Sequence, residues 1–170
     1  MHNENQNKTT MKNIFLSIQD RLSSISEIKH IDKDWGQLQY DQPPVKFPCV
    51  LIDMPNAVFT QRGRGEQMAQ AEIAVTVANI NNIRSSASAP NRENAYATIE
   101  LMEAIHQKLQ VYSDRNLYTP LMRTSLRKEV STKDYEVYTM TYSTSFVVPY
   151  TRETASVNAG LTVTKYLDSE

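Results

Sequence analysis

The sequence predicts an α+β fold, a single mostly antiparallel sheet of about four or five strands with two helices packed on one face. Two segments repeat apolar residues at helical spacing, and two pairs of extended segments are joined by turn residues. Hairpins pair their strands antiparallel, and two helices can cover one face of such a sheet. A chain of 170 residues fits one domain of this kind.

Two segments predict the helices. The first begins after Thr10, a residue type that caps helix N-termini, and its apolar residues recur every three or four positions. The second runs from about residue 92 to about residue 111. Its predicted buried stripe contains Ile99, Met102, Ile105 and Leu109.

The first group of extended segments follows a proline-rich stretch, QPPVKFPCVLID at residues 42–53. Its prolines favour an extended backbone that leads into a buried strand at residues 49–53. The segments AVFTQ and QAEIAVTVANI then predict a long hairpin with its turn in QRGRGEQ. Alternation places Ala71, Ile73, Val75 and Val77 on one face, and we expect the weakly polar opposite face to be partly covered.

The remaining segments complete the domain. Residues 121–130 and 135–148 predict a second hairpin around the turn STKD, whereas residues 28–31 predict a short extended piece rather than a clear strand. Residues 1–10 are expected to be disordered, which leaves residues 11–148 as the domain. Residues 149–170 form a tail that is either disordered or docked on a neighbouring subunit through LTVTKY, with Leu161 and Val163 as candidate contacts.

Composition and motifs argue against several functional classes. The net charge of −1 disfavours a protein that coats nucleic acid. The single cysteine, Cys49, lies in an apolar run and is expected to be buried and inert. The three histidines lack metal-binding spacing, and no nucleotide or nucleophile motif is present. The sequence therefore predicts a protein that is not an enzyme and needs no cofactor. No apolar stretch suits a signal peptide or a membrane span, so we expect the protein to be made and kept in a cytoplasm.

Two groups of charged residues are candidate contact sites. Arg62, Gly63, Arg64 and Glu66 lie at the predicted tip of the first hairpin, where a strand follows instead of the helix that a phosphate-binding loop requires. One interpretation is that these residues contact another subunit, in the same assembly or in one stacked on it, so Arg62→Ala with Arg64→Ala is expected to impair assembly.

The second group is Arg123, Arg127 and Lys128, with Lys133 in the following turn. On a regular strand, Arg123 and Arg127 point the same way and Lys128 points the opposite way. Three nearby tyrosines could stack on bases, so a nucleic-acid interface is one interpretation. A solvated hairpin is favoured because acidic residues are interspersed. The tyrosines are Tyr135, Tyr138 and Tyr142, and the acidic residues are Glu129, Asp134 and Glu136.

The order of elements, with the segments WGQ, PP and FPCVLI, resembles the tail terminator (tail-completion) proteins of long-tailed bacteriophages and their prophages. The resemblance covers roughly residues 11–148. The residues that carry it are Trp35, Gly36, Gln37, Pro43, Pro44, Phe47, Pro48, Val50, Leu51 and Ile52.

This resemblance implies a structural role in the virion tail. Such proteins form a hexameric ring that caps the tail tube and joins it to the head connector, with no active site. The implied partners are further copies of the chain, the tail-tube protein and the connector or stopper protein. DNA would only pass through the ring lumen, and no membrane is involved. Another head–tail connector, a tail-tube-related ring protein and a small nucleic-acid-associated module remain alternatives.

Overall fold

The computed structural model describes residues 11–63, 65–114, 117–130 and 134–149. These residues form one five-stranded sheet, mostly antiparallel, and two α-helices, which confirms the predicted α+β class. The elements are α1 (Met11–Leu22), β1 (His30–Lys33), β2 (Cys49–Gly63), β3 (Glu66–Asn79), α2 (Ala97–Leu109), β4 (Met122–Glu129) and β5 (Glu136–Val148), with 3-10 turns at Gln37–Gln39 and Arg92–Tyr96. The strand order in the sheet is β1-β2-β3-β5-β4.

The segment at residues 28–31 does contribute a strand, which the sequence did not predict. His30 to Lys33 pair with Cys49 to Ile52 in parallel orientation. A strand of four residues shows too little alternation to be recognised. The prediction was therefore wrong here, and β1 makes the sheet mixed.

Strand β2 is longer than expected. The sequence predicted a strand that ends at Asp53 and a second one that begins at Ala57, because Pro55 and Asn56 are typical of strand breaks. Instead β2 continues for 15 residues. A shift in the pairing with β3 between Asp53 and Asn56 accommodates the proline.

The main core lies between the two helices and one face of the sheet. Helix α1 buries Ile14, Ile18 and Leu22 against it. On α2 the predicted stripe is partly wrong, because Ile99 is 39% exposed while Leu101 is buried. The sheet side of this core contains Val50, Ile52, Ala69, Ala71, Ile73, Val75, Val77, Met140, Tyr142 and Phe146.

A smaller core covers one end of the opposite sheet face, as expected. It consists of the buried residues Cys49, Leu51, Ala78 and Val137. The proline-rich segment that precedes β2 packs over them with Leu38, Val45 and Phe47. This segment therefore covers part of the second face of the sheet as well as leading into β2. The other end of the same face is left without such a cover among the described residues.

Candidate functional site

The predicted hairpin tip is present between β2 and β3. Gly63 and Gly65 have φ angles of +96° and +83°, which L-residues with a side chain rarely adopt. Arg62, Gly63 and Glu66 are exposed at this tip, and Arg64 lies outside the described residues. The glycines therefore make the reversal and leave the flanking charges in solvent.

The outer half of β2 is an exposed edge of the sheet, whereas β3 beside it is paired with β5 as far as Gln67. β2 is buried from Cys49 to Ile52 and exposed from Val58 to Gly63. Successive side chains of a strand point to opposite faces, so exposure of consecutive residues means that neither face of this part of β2 is covered. Val58 is 57% exposed on one face and Phe59 is 41% exposed on the other. The outer half of β2 thus presents apolar side chains on both sides.

Strand β4 contains an irregularity that changes the predicted orientation of its basic residues. Its pairing with β5 shifts between Arg123 and Ser125, which marks a bulge at Thr124. Arg123 is opposite Tyr142 and Lys128 is opposite Tyr138, on the helix side of the sheet. Arg127, opposite Thr139, lies on the other side. The prediction that Arg123 and Arg127 share a face was therefore wrong, since the bulge reverses their relation.

Carboxylates of the same hairpin compensate two of these three cations. The Arg127 guanidinium donates to Glu129 Oε1 with an Nη2–O distance of 2.8 Å, and the Lys128 ammonium donates to Glu136 Oε1 at 3.1 Å. The hydrogen bond with Glu136, followed by that with Tyr138, raises the pKa of Lys128. Both pairs are partly solvated, so each contributes little stability. Their main effect is to lower the positive electrostatic potential along β4.

The arginine on the helix side lies near a different group of side chains. His106 Nδ1 and Tyr142 Oη are 3.3 Å apart. Partial burial, and then the positive charge of Arg123, lower the pKa of His106. A shallow cavity of about 360 Å³ adjoins this pair, lined by Ile99, Met102, Glu103, His106, Gln107, Arg123 and Leu126.

The three tyrosines do not form an open surface for stacking on bases. Tyr142 is fully buried, and burial raises its pKa to about 12. Tyr135 packs on Phe47, with ring centroids 5.1 Å apart, and its hydroxyl donates to the Leu38 carbonyl oxygen at 2.7 Å. The ammonium of Lys128 lies 5.2 Å from the Tyr138 ring centroid. These contacts weaken the nucleic-acid interpretation of this hairpin.

An exposed aromatic pair next to β1 was not recognised as a candidate site. Trp35 and Tyr40 are 53% and 57% exposed, and their ring centroids are 5.8 Å apart in an edge-to-face arrangement. The buried Gln37 holds the turn between them, because its Oε1 accepts from the Trp35 N–H at 2.8 Å and its Nε2 donates to the Lys33 carbonyl. The spacing of Trp35 and Tyr40 around a tight turn is the signal that could have revealed the pair.

The uncovered end of the far sheet face forms a shallow polar groove of about 440 Å³. It lies between the outer half of β2 and the segment that leads into β4. Its lining mixes polar and apolar side chains and consists of Asn56, Val58, Gln70, Ala71, Glu72, Thr119, Pro120, Met122, Ser143, Thr144 and Ser145. The groove thus runs over β3 and β5.

The remaining predicted sites give a mixed outcome. Cys49 is fully buried, and burial raises the pKa of its thiol to about 11. Within the described ranges, no group of three potential metal ligands occurs, and no helix is long and apolar enough to cross a bilayer. Leu161, Val163 and Lys133 lie outside the described residues.

The comparisons with known proteins give a weak structural likeness. No protein-family model and no curated protein matches the chain. A chain in a solved structure titled "Virion of native gene transfer agent (GTA) particle" is similar at a TM-score of 0.44 and 11% sequence identity. The match covers 79% of this chain and 90% of that chain. A likeness at this level shows neither common ancestry nor common function.

Proposed function

We propose that the protein is a structural subunit of a phage-like tail, in the role of a tail terminator. In this role, copies of the chain form a ring, with six members implied by the resemblance, that caps the tail tube and joins it to the head connector. The protein works by binding other subunits and has no catalytic activity of its own. The observation that carries the proposal is the outer half of β2, an edge of the sheet whose side chains are exposed on both faces.

The exposed outer half of β2 is suited to contact with a neighbour. The base of the strand is anchored in the core, where Val50 and Ile52 are fully buried. Its outer part offers Val58 and Phe59 on opposite faces and the charges of Arg62 and Glu66 at the tip. Burial of two such apolar side chains against a partner would supply about 1.5–3 kcal/mol each. A strand that is anchored in the core at one end and exposes apolar side chains at the other is suited to a contact between subunits.

The molecule also offers different surfaces at its two sides. A closed ring needs two unlike lateral faces and two unlike faces for the partners above and below. The exposed outer half of β2 lies at one side of the sheet, and β4 with its compensated cations lies at the other side. The exposed Trp35–Tyr40 pair is a third surface, and large aromatic residues are enriched in protein interfaces. These unlike surfaces support a ring subunit over a two-fold dimer.

Capping of tail tubes tests the proposal directly. Tube protein of the same virion is polymerised with and without this protein, and tube lengths and ends are measured by negative-stain electron microscopy. We expect shorter tubes that end in a ring with six-fold symmetry. A tube-length distribution unchanged by the protein would reject the terminator role.

A matched pair of variants assigns the effect to the hairpin. Val58→Asp with Phe59→Asp places two charges on the hairpin, and Ile80→Asp with Ile83→Asp places two charges on a loop of similar exposure. We expect the hairpin variant to lose capping and the loop variant to keep it. Equal capping by both variants would exclude the hairpin as the contact.

A further inference from the structure

The outer part of β2 has an open edge within the described part of the chain. β1 pairs with β2 only from Cys49 to Ile52. From Asn56 onward, β2 pairs with β3 on one side, and no described strand lies on the other. The backbone N–H and C=O groups of residues 56–63 on that side are therefore available to a further strand.

This edge lacks the usual protection against strand pairing. Natural edge strands carry charged residues, are short, or are covered. Residues 56–61 read NAVFTQ and contain no charge, and the first charge toward the tip is Arg62. The proline of this strand, Pro55, lies in the bulge before the open stretch. An unprotected edge of this length on a folded domain indicates that a partner strand occupies it.

A second open edge lies at the opposite side of the same sheet. β4 pairs only with β5 among the described strands. It has eight residues, the same length as residues 56–63 of β2. Leu126 is 51% exposed on it, and the pairing of Arg127 and Lys128 with carboxylates reduces its charge. At its beginning, the Arg123 N–H is already engaged by Gln110 Oε1 at 3.1 Å, so the open stretch begins after it.

We propose that the outer edge of β2 pairs with the β4 edge of a second copy of the chain, so that the sheet continues from one subunit into the next. Backbone hydrogen bonds give the affinity, and Val58, Phe59 and Leu126 are covered by the partner. Because the two edges differ, the contact is head-to-tail and closes into a ring when the rotation permits. The inference deepens the proposed function and rests on it for the ring, although the edge pairing can be tested alone.

Pairing between unlike edges is favoured over pairing between like edges. Two β4 edges could pair about a two-fold axis, but they would leave both β2 edges open. Two β2 edges could pair in the same way, but they would leave both β4 edges open. Pairing of β2 with β4 satisfies both edges of every subunit.

Cross-linking through introduced cysteines tests this arrangement. The double variant Phe59→Cys with Leu126→Cys, two positions on the helix side of the sheet, is compared with the two single variants, using a short bis-maleimide that tolerates a small register offset. Residues 59 and 126 of one chain lie on strands three spacings apart, roughly 14 Å. A cross-linker shorter than that cannot join them within one subunit. The native Cys49 is fully buried and does not compete.

The double variant is expected to give a ladder of covalent oligomers at high protein concentration, whereas each single variant stays monomeric. A covalent dimer from Phe59→Cys alone would show pairing of two β2 edges and overturn the proposal. Absence of the ladder would also overturn it. The same double variant ending at residue 149 is expected to give the same ladder, and a ladder that appears only after this truncation would assign the β2 edge to the C-terminal segment instead.

The cross-linking experiment and the tube-capping experiment can fail independently of each other. A ladder from a protein that does not cap tubes would retain the edge pairing and reject the terminator role. Capping without a ladder would retain the role and reject the edge pairing.

Discussion

Tyr135 links the proline-rich segment to the sheet, because its hydroxyl donates to the Leu38 carbonyl oxygen at 2.7 Å. Tyr135→Phe keeps the ring against Phe47 and removes this hydrogen bond. We expect a loss of about 1 kcal/mol in the free energy of unfolding, measured by urea denaturation. Tyr96→Phe, at an exposed position, is the control and should change stability by less than about 0.5 kcal/mol. Equal effects of the two changes would contradict the role of the hydrogen bond.

Two buried tyrosines predict a loss of stability at alkaline pH. Burial raises the pKa of Tyr118 and Tyr142 to about 12, from an ordinary value of 10.0. The folded state therefore holds these protons more tightly than the unfolded state. The contribution of these two protonated hydroxyls to the free energy of unfolding is fully present below about pH 10 and is lost as the pH rises toward about 12.

Tyr142→Phe tests this linkage. The free energy of unfolding, measured between about pH 9 and about pH 11.5, should fall less steeply in this variant than in the wild type, by about 1–2 kcal/mol over the range. Tyr96→Phe should keep the wild-type slope. A Tyr142→Phe slope identical to the wild-type slope would show that this hydroxyl does not titrate differently in the two states.

At the scale of elements, helix α2 offers a comparison between two isoleucines on one helix. Ile105 is fully buried, whereas Ile99 is 39% exposed. Ile105→Ala should reduce the free energy of unfolding by about 2–5 kcal/mol, because it leaves a cavity in the core. Ile99→Ala makes the same chemical change and should cost less than about 1 kcal/mol. Urea denaturation measures both, and a larger cost at Ile99 would contradict the observed orientation of the helix.

The elements differ in how well their boundaries and orientation could be predicted from the sequence. Helix α1, the long hairpin and β5 could be predicted, because their periodicity extends over many residues. The first turn of α2 could not be predicted correctly, because a 3-10 turn at Arg92–Tyr96 precedes the helix and Ile99 lies near the edge of the buried face of the helix. β1 was missed because its parallel partner, Cys49–Ile52, is distant in sequence.

The candidate site was predictable in composition but not in geometry. The tip residues Arg62, Gly63 and Glu66 were recognised from the glycines that a tight turn requires. The faces of Arg123 and Arg127 were assigned wrongly because alternation assumes a regular strand, and the bulge at Thr124 has no distinct sequence signal. The open edge of β2 was also invisible, since it depends on where β1 ends.

At the scale of the whole molecule, the buried side chains of the described part all lie between Ile14 and Phe146. A chain limited to residues 11–149, which starts at the natural Met11, should therefore fold by itself. We expect its free energy of unfolding to lie within about 0.5 kcal/mol of the full-length value. Urea denaturation followed by circular dichroism measures both proteins under the same conditions.

The same truncated chain decides between the two interpretations of residues 150–170. If the segment has no partner, the truncated protein caps tubes as well as the full-length protein does. If LTVTKY docks on a neighbouring subunit, stability of the monomer is unchanged while capping is lost, because the contact exists only between subunits. A loss of more than about 2 kcal/mol in the monomer would instead show that the segment packs on its own domain, which would contradict the predicted boundary at residue 148.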